Sequence, residues 1–373
     1  METKEIRDKA RERMKSFCNV CKECNGLWCA GKVPGMGGAG TGESFKRSYR
    51  KLKDIKVVLR TLHDAKDPDT SFEIFKKKLS MPVISAPLTG TQYNMGGFMS
   101  EKEFVDDVVF GSVEVGTIAM IGDTGDISCY PVGLEAIKKA GGDGIAIIKP
   151  RENDEIIKRI RLAESAGAIA VGVDVDGAGL VTMKMFNQPV GPKTLEDLKK
   201  IISSTKLPFI IKGILSVDEA KICVEAGASG IVVSNHGGRV LNCTLSPCEV
   251  LKDICNAVGN DIIVLADGCV REGVDVIKLL ALGAKAVLVG RPIIWASIGG
   301  RQEGVKVTLQ TLQKQLYQAM ILTGCNDLKS INIDKIHIDK NFFNNVKVDY
   351  KSVNNLMNEG YQKIKNFYCD SIN

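Results

Sequence analysis

Phe209-Ile-Ile-Lys-Gly-Ile-Leu-Ser-Val-Asp-Glu-Ala-Lys-Ile-Cys-Val-Glu-Ala-Gly-Ala-Ser-Gly-Ile-Val-Val-Ser234 carries the architecture of this chain in one stretch. Its two ends, Phe209–Gly213 and Gly230–Ser234, are apolar without alternation, as strands buried on both faces must be. Between them Ser216–Ala226 reads as a helix. Ser216 is the N-cap, Glu219 its capping-box partner three residues on, and Gly227 follows the last turn. The same kind of apolar run recurs outward at Val83–Pro87, Thr117–Gly122, Gly144–Lys149 and Ala168–Asp174, then at Ile262–Asp267 and Ala286–Gly290. Asn153–Ala166 adds another helix, with Ile156, Ile157, Ile160 and Ala163 on one stripe. Eight strands alternating with helices predict a closed (β/α)8 TIM barrel. An open doubly wound sheet would carry G-x-G-x-x-G after its first strand, whereas Leu88-Thr-Gly-Thr-Gln-Tyr-Asn-Met-Gly-Gly97 stands there.

The barrel is expected over residues 81–325 of the 373. Residues 1–80 hold a charged helix, a cysteine cluster and the glycine-rich run Gly31–Gly42, expected to pack on the barrel. Residues 326–373, rich in Asn, Lys and Ile, are expected to form a helical tail. A composition of 44% hydrophobic and 25% charged residues suits a large ordinary core. The net charge of +6 is too mild for a nucleic-acid field, and the basic run 46–56 reads as a solvated helix face. No apolar run approaches the ~18 residues that span a bilayer. The charged start, Met1–Ala10, lacks the apolar core of a signal peptide, so a cytoplasmic protein is expected.

In such a barrel chemistry sits at the carboxyl ends of the strands. Those positions are Ala86-Pro87, Gly122-Asp123, Lys149, Asp174, Lys212, Asn235-His236, Asp267 and Gly290-Arg291. A core would not collect Lys, His and Asp, because unpaired buried charge costs several kcal/mol. Ser234-Asn-His-Gly-Gly-Arg239 is the sharpest motif. Of three histidines, His236 alone falls at a strand end. The glycines permit a tight turn, and Arg239 can face the same space. An imidazole suits proton abstraction, and a guanidinium suits a carboxylate. Lys212 could stabilise an anion, form a Schiff base or pair with Asp174. Asp267-Gly-Cys-Val-Arg271 and Gly290-Arg291, ending strands seven and eight, suit a phosphate, with Gly268 and Gly290 permitting close backbone approach.

These residues resemble the family of flavin mononucleotide (FMN)-dependent α-hydroxy acid dehydrogenases and oxidases, which includes glycolate oxidase and lactate oxidase. The likeness spans roughly residues 80–325 and is strongest at Ile211–Gly213, Ser234–Arg239, Leu265–Ala284 and Val289–Pro292. It implies an FMN enzyme oxidising a small 2-hydroxy acid, with His236 as base and Arg239 as carboxylate anchor. Asp174 would orient the histidine. Lys212 and Ser234 would contact the flavin, and Ala86-Pro87 would lie under its ring. Asp267, Gly268, Arg271, Gly290 and Arg291 would hold the phosphate. It further implies a homo-oligomer. Several family features are replaced: Ala146-Ile147-Ile148 stands for Gln-x-Tyr, Gly122-Asp123-Thr124 for an aromatic, and Gly177–Lys193 carries no arginine. The alternatives are a flavin-dependent isopentenyl diphosphate isomerase, which lacks the His-Gly-Gly-Arg arrangement, and a flavoprotein binding module.

Twelve cysteines are many for a chain without a secretory signal, so a disulfide framework is not expected. Four of them, Cys18, Cys21, Cys24 and Cys29, fall close together with ferredoxin-like C-x-x-C-x-x-C spacing. Thiolates so placed can bind an iron–sulfur cluster or zinc, or no metal at all. A cluster here would pass electrons from reduced flavin to an acceptor protein.

Overall fold

A computed structural model describes residues 1–339 and Phe342. Its strands are β1 (Val83–Leu88), β2 (Ala119–Gly122), β3 (Gly144–Ile148), β4 (Ala170–Asp174), β5 (Phe209–Ile214), β6 (Gly230–Val233), β7 (Ile263–Ala266) and β8 (Ala286–Val289). Each pairs in parallel with its chain neighbours, and β8 pairs with β1, so the sheet closes into the expected eight-stranded barrel. Buried residues from around the barrel fill its core: Ile84, Met120, Ile145, Ile147, Ile210, Val232, Leu265 and Leu288. That filling makes the barrel a packed core and leaves only its mouth for chemistry.

Ser216 caps its helix as expected by accepting from the Glu219 N–H, and the helix runs Val217–Glu225. Two longer pieces hold the amino-terminal extension to the barrel. Helix α1 (Thr3–Arg13) buries Ile6 and Ala10 against the closing helix, Arg291–Ile321. The two approach so closely that a Cβ on Gly299 would stand 2.0 Å from the Ile6 carbonyl. Helix α2 (Glu43–Asp54) covers much of the basic run, which is more than a solvated face. Arg47 makes a forked pair of bonds, 2.6 and 2.8 Å, to the fully buried Glu249.

The compact unit runs Met1–Ile338, past the boundary expected at 325. Residues 326–338 are not helical as the tail was expected to be. They form the short turns Leu328–Ser330 and Ile333–Lys335, then Ile336–His337, which pairs antiparallel with Lys56–Val57. Asp327 accepts from the Ser330 N–H and Asn332 from the Asp334 N–H, the local bonding that competes with a helix. The rest of the expected tail lies outside the described residues, apart from Asp339 and Phe342.

Candidate active site

The strand ends open into a cavity with about 1080 Å³ of empty space, continuous with solvent. Ala86, Pro87, Asp174, Lys212, His236, Arg239, Asp267, Gly268, Arg271, Gly290 and Arg291 all line it, so nearly every residue singled out from the sequence meets there. Ser234 does not. Its hydroxyl donates to Asp267 (2.7 Å) and accepts from the His236 N–H (3.0 Å), so it braces β6 against β7.

His236 sits at φ 57°, followed by Gly237 and Gly238 at 65° and 76°. Asn235 accepts from the Gly238 N–H and closes the turn. Only glycine fits at 238, where a Cβ would lie 2.5 Å from the Phe45 nitrogen. This left-handed run turns the imidazole toward β4. Its Nδ1 is 3.0 Å from Asp176 Oδ1 and 3.4 Å from Asp174 Oδ2. The expected Asp174 thus faces the imidazole together with Asp176, which stands nearer. A short 3-10 turn, Val175–Gly179, carries Asp176 back over the strand end.

Asp174 has other work. It accepts from Lys149 at 2.6 Å and from Lys212 at 3.1 Å. Burial opposes its ionisation, but His236, Lys149 and Lys212 together hold it well below the usual carboxylate range. Asp176 is pushed upward, by burial and then by the charge of Asp174. Lys212 resists the effect of burial because Asp174, Asp176 and Asp267 surround it; it stays an ammonium. The Asp174–Asp176–His236 group is tight enough for a metal ion, but the two ammonium groups already supply its positive charge.

Arg239 donates to the Gly35 carbonyl and, at 2.9 Å, to Asn94. It has no carboxylate partner among the described residues. Burial, and then the neighbouring charge of Arg291, push its pKa down to about 10. Arg291 donates to the carbonyls of Met36, Gly37 and Gly237 and lies 3.7 Å from the Phe45 ring centroid. The glycine-rich run is thus the lip of the mouth. Ala39 N–H also donates to Gly238, at 2.8 Å.

The replaced family positions show their substitutes here. Ile147 and Lys149, alternate residues of β3 and its continuation, line the cavity. Of the stretch 146–148, Ile147 is the residue that lines the cavity. Asp123 is held by both Nε and Nη2 of Arg151, at 2.7 and 3.1 Å. Thr124 bonds Tyr93, whose ring packs 5.2 Å from that of Phe186, and Leu180 and Thr182 fill the side after β4.

Residues 35–187 and 178–338 match the FMN-dependent dehydrogenase family. The chain belongs to that family. A 4-hydroxymandelate oxidase of Amycolatopsis orientalis is 32% identical over 329 residues, covering 78% of this chain and 89% of that protein. A 2-hydroxyacid oxidase of Dictyostelium discoideum is 33% identical over 312 residues, covering 74% and 78%. The crystal structure of a mandelate oxidase superposes with a TM-score of 0.76 at 28% identity, covering 90% of this chain and 97% of that one. The cavity fits the FMN of this family. The Nε of Arg271 and Oδ1 of Asp267 are buried without partners, ready for polar ligand atoms. At Gly290 a Cβ would meet only side chains, at 3.7 Å or more, leaving the backbone open to approach.

The four cysteines precede the family match. Cys18, Cys21, Cys24 and Cys29 line one separate cavity of about 400 Å³, none in a disulfide. Burial pushes the thiols of Cys18, Cys21 and Cys29 up.

Proposed function

We propose that this chain uses FMN to oxidise a small 2-hydroxy acid to the 2-oxo acid, with His236 as base and Arg239 as carboxylate anchor. One observation carries this reading. An imidazole braced by two carboxylates, a guanidinium without a carboxylate and a buried ammonium converge on one cavity. Relatives named as hydroxy acid oxidases support the substrate class.

Ala86, Pro87 and Lys212 would hold the ring of FMN, and Asp267, Gly268, Arg271, Gly290 and Arg291 its phosphate arm. Bound there, FMN supplies the two-electron sink that no side chain offers. The chain's own residues do the rest. With Nδ1 tied to Asp176 and Asp174, Nε2 of His236 is the nitrogen left to take the substrate proton. Asp174, already ionised, meets the charge that then arrives on the imidazole. Arg239 fixes the substrate carboxylate and so the direction of the neighbouring carbon. Lys212 offers a permanent positive charge to an anion developing in the cavity. The substitutions at Ile147, Lys149, Leu180 and Thr182 set which acid fits.

An acceptor protein for the electrons, a metal centre of iron–sulfur or zinc type on the four cysteines, assembly of several copies and cytoplasmic residence belong to the same reading. Among the described residues no helix is long and apolar enough to cross a membrane.

The test is anaerobic addition of a panel of 2-hydroxy acids with the flavin absorbance followed. Bleaching is expected, slowed about 10²- to 10⁴-fold in His236→Ala. A variant bleaching at the wild-type rate would remove the proposed base. Silence toward every acid with turnover of isopentenyl diphosphate would favour the isomerase, and silence toward both a binding module.

A further inference from the structure

We infer that Cys18, Cys21, Cys24 and Cys29 hold one iron–sulfur cluster that takes electrons singly from the neighbouring flavin; the second half of this rests on the function proposed above. Four unpaired thiols line one cavity. Zinc bound by four thiolates would bring the sulfurs to about 3.8 Å of one another, given 2.3 Å bonds in a tetrahedron. Among the described residues, the one set of three or more such ligand groups closing within 4.8 Å is Asp174, Asp176 and His236. No three of the thiol sulfurs close that tightly among the described residues.

The surroundings match a buried anionic cluster. Arg271 lies 3.3 Å from the Cys24 sulfur, Arg291 lines the cavity and Arg7 donates to the Cys21 carbonyl. Trp295, 3% exposed, turns its indole N–H toward Cys18 and has no hydrogen-bond partner. N–H groups and positive charges aimed at sulfur are the protein's means of tuning such clusters. The loop is also held in shape: Arg11 donates to the carbonyls of Asn19 and Val20.

Position supplies the redox role. Met36 and Arg291 line both this cavity and the flavin cavity, so one layer of side chains separates them. Oxidation of the hydroxy acid releases two electrons and two protons. The electrons would leave the flavin one at a time, each reducing the cluster and then a one-electron carrier protein. Two carriers end reduced, both protons go to solvent, and oxidised FMN is regained. Zinc, having no second oxidation state, could not do this.

The experiment is anaerobic purification of the full chain, with iron, acid-labile sulfide, zinc and FMN measured per chain. Near-equal iron and sulfide, and a paramagnetic signal after dithionite, are expected. Cys21→Ser should lose both metal and signal while keeping its FMN, which shows that it has folded. Zinc without sulfide, or a metal-free flavoprotein, would overturn the cluster. Substrate added anaerobically should raise the same signal in the wild type. A flavin that bleaches while an intact cluster stays oxidised would overturn the relay. If no hydroxy acid bleaches the flavin, the proposed substrate fails, while the metal analysis still decides the cluster.

Discussion

Replacing Arg239 with Met separates an anion anchor from a structural cation. In the free protein the guanidinium is bonded only to Gly35 and Asn94, and its pKa of about 10 leaves it charged near neutrality. A substrate carboxylate would add two charge-assisted hydrogen bonds, each worth about 1.5–3 kcal/mol. Because two of the five N–H groups are already engaged, we take the lower half of that sum. A loss of about 3–4.5 kcal/mol weakens binding about 10²- to 10³-fold. Stability should barely move, by no more than about 1 kcal/mol, since the cost of a buried unpaired charge disappears along with two bonds. The assay is titration of FMN-loaded protein with a 2-oxo acid, read from the flavin spectrum, beside urea unfolding. Binding within threefold of wild type would show that the anchor lies elsewhere, with Lys149 next to be tested. Destabilisation by more than about 3 kcal/mol would make Arg239 a structural residue instead.

Asp174→Asn should cost about 3–5 kcal/mol in urea unfolding, because it leaves Lys149 and Lys212 buried without their shared anion. The folded-state pKa of Asp174 lies below that of the unfolded chain, so its contribution is complete above roughly pH 4 and is lost as pH falls further. Wild type should therefore lose more stability than Asp174→Asn on acidification below pH 4, and parallel curves would contradict the assignment. Gly213→Ala tests the second carboxylate without altering the cavity lining. The glycine lies at φ 100°, and a Cβ there would stand 2.5–2.9 Å from Asp176 side-chain atoms. Flavin reduction should slow by about ten- to a hundredfold, as expected for losing one hydrogen bond to a charged group, while FMN content stays unchanged; a wild-type rate would show that Asp176 does not position His236.

The barrel could be read from the sequence because its signals are local. Unbroken apolar runs of four to seven residues, spaced by helical stripes, have few other solutions. His236, Arg239, Lys212 and the phosphate-end glycines were legible for the same reason: polar residues at strand ends in this fold face one space. What escaped the sequence depended on direction rather than place. Asp176 needed the 3-10 turn after β4 to bring it over Asp174. Ser234 needed the reversal at His236 to send its hydroxyl to Asp267 instead of the cavity. Ile147 needed the register of β3, where a shift of one residue exchanges the lining face for the outer face. No local pattern announced that carbonyls of residues 35–37 would serve Arg239 and Arg291 from over two hundred residues away.

The charges of the mouth fall into two groups, and the division explains why one fold end can hold two anions at once. Near β4 and β5 the protein balances itself: Lys149 and Lys212 face Asp174, Asp176 and Asp267, leaving room for one more positive charge, the proton that His236 receives. Around β7, β8 and the glycine-rich lip it does not. Arg239 and Arg291 are bonded to neutral oxygens and Arg271 keeps a buried N–H without a partner. These guanidiniums suit the anionic groups proposed to bind beside them, the cofactor phosphate and the substrate carboxylate. The self-balanced half is therefore built to move a proton, and the unbalanced half to hold the ligands between which it moves.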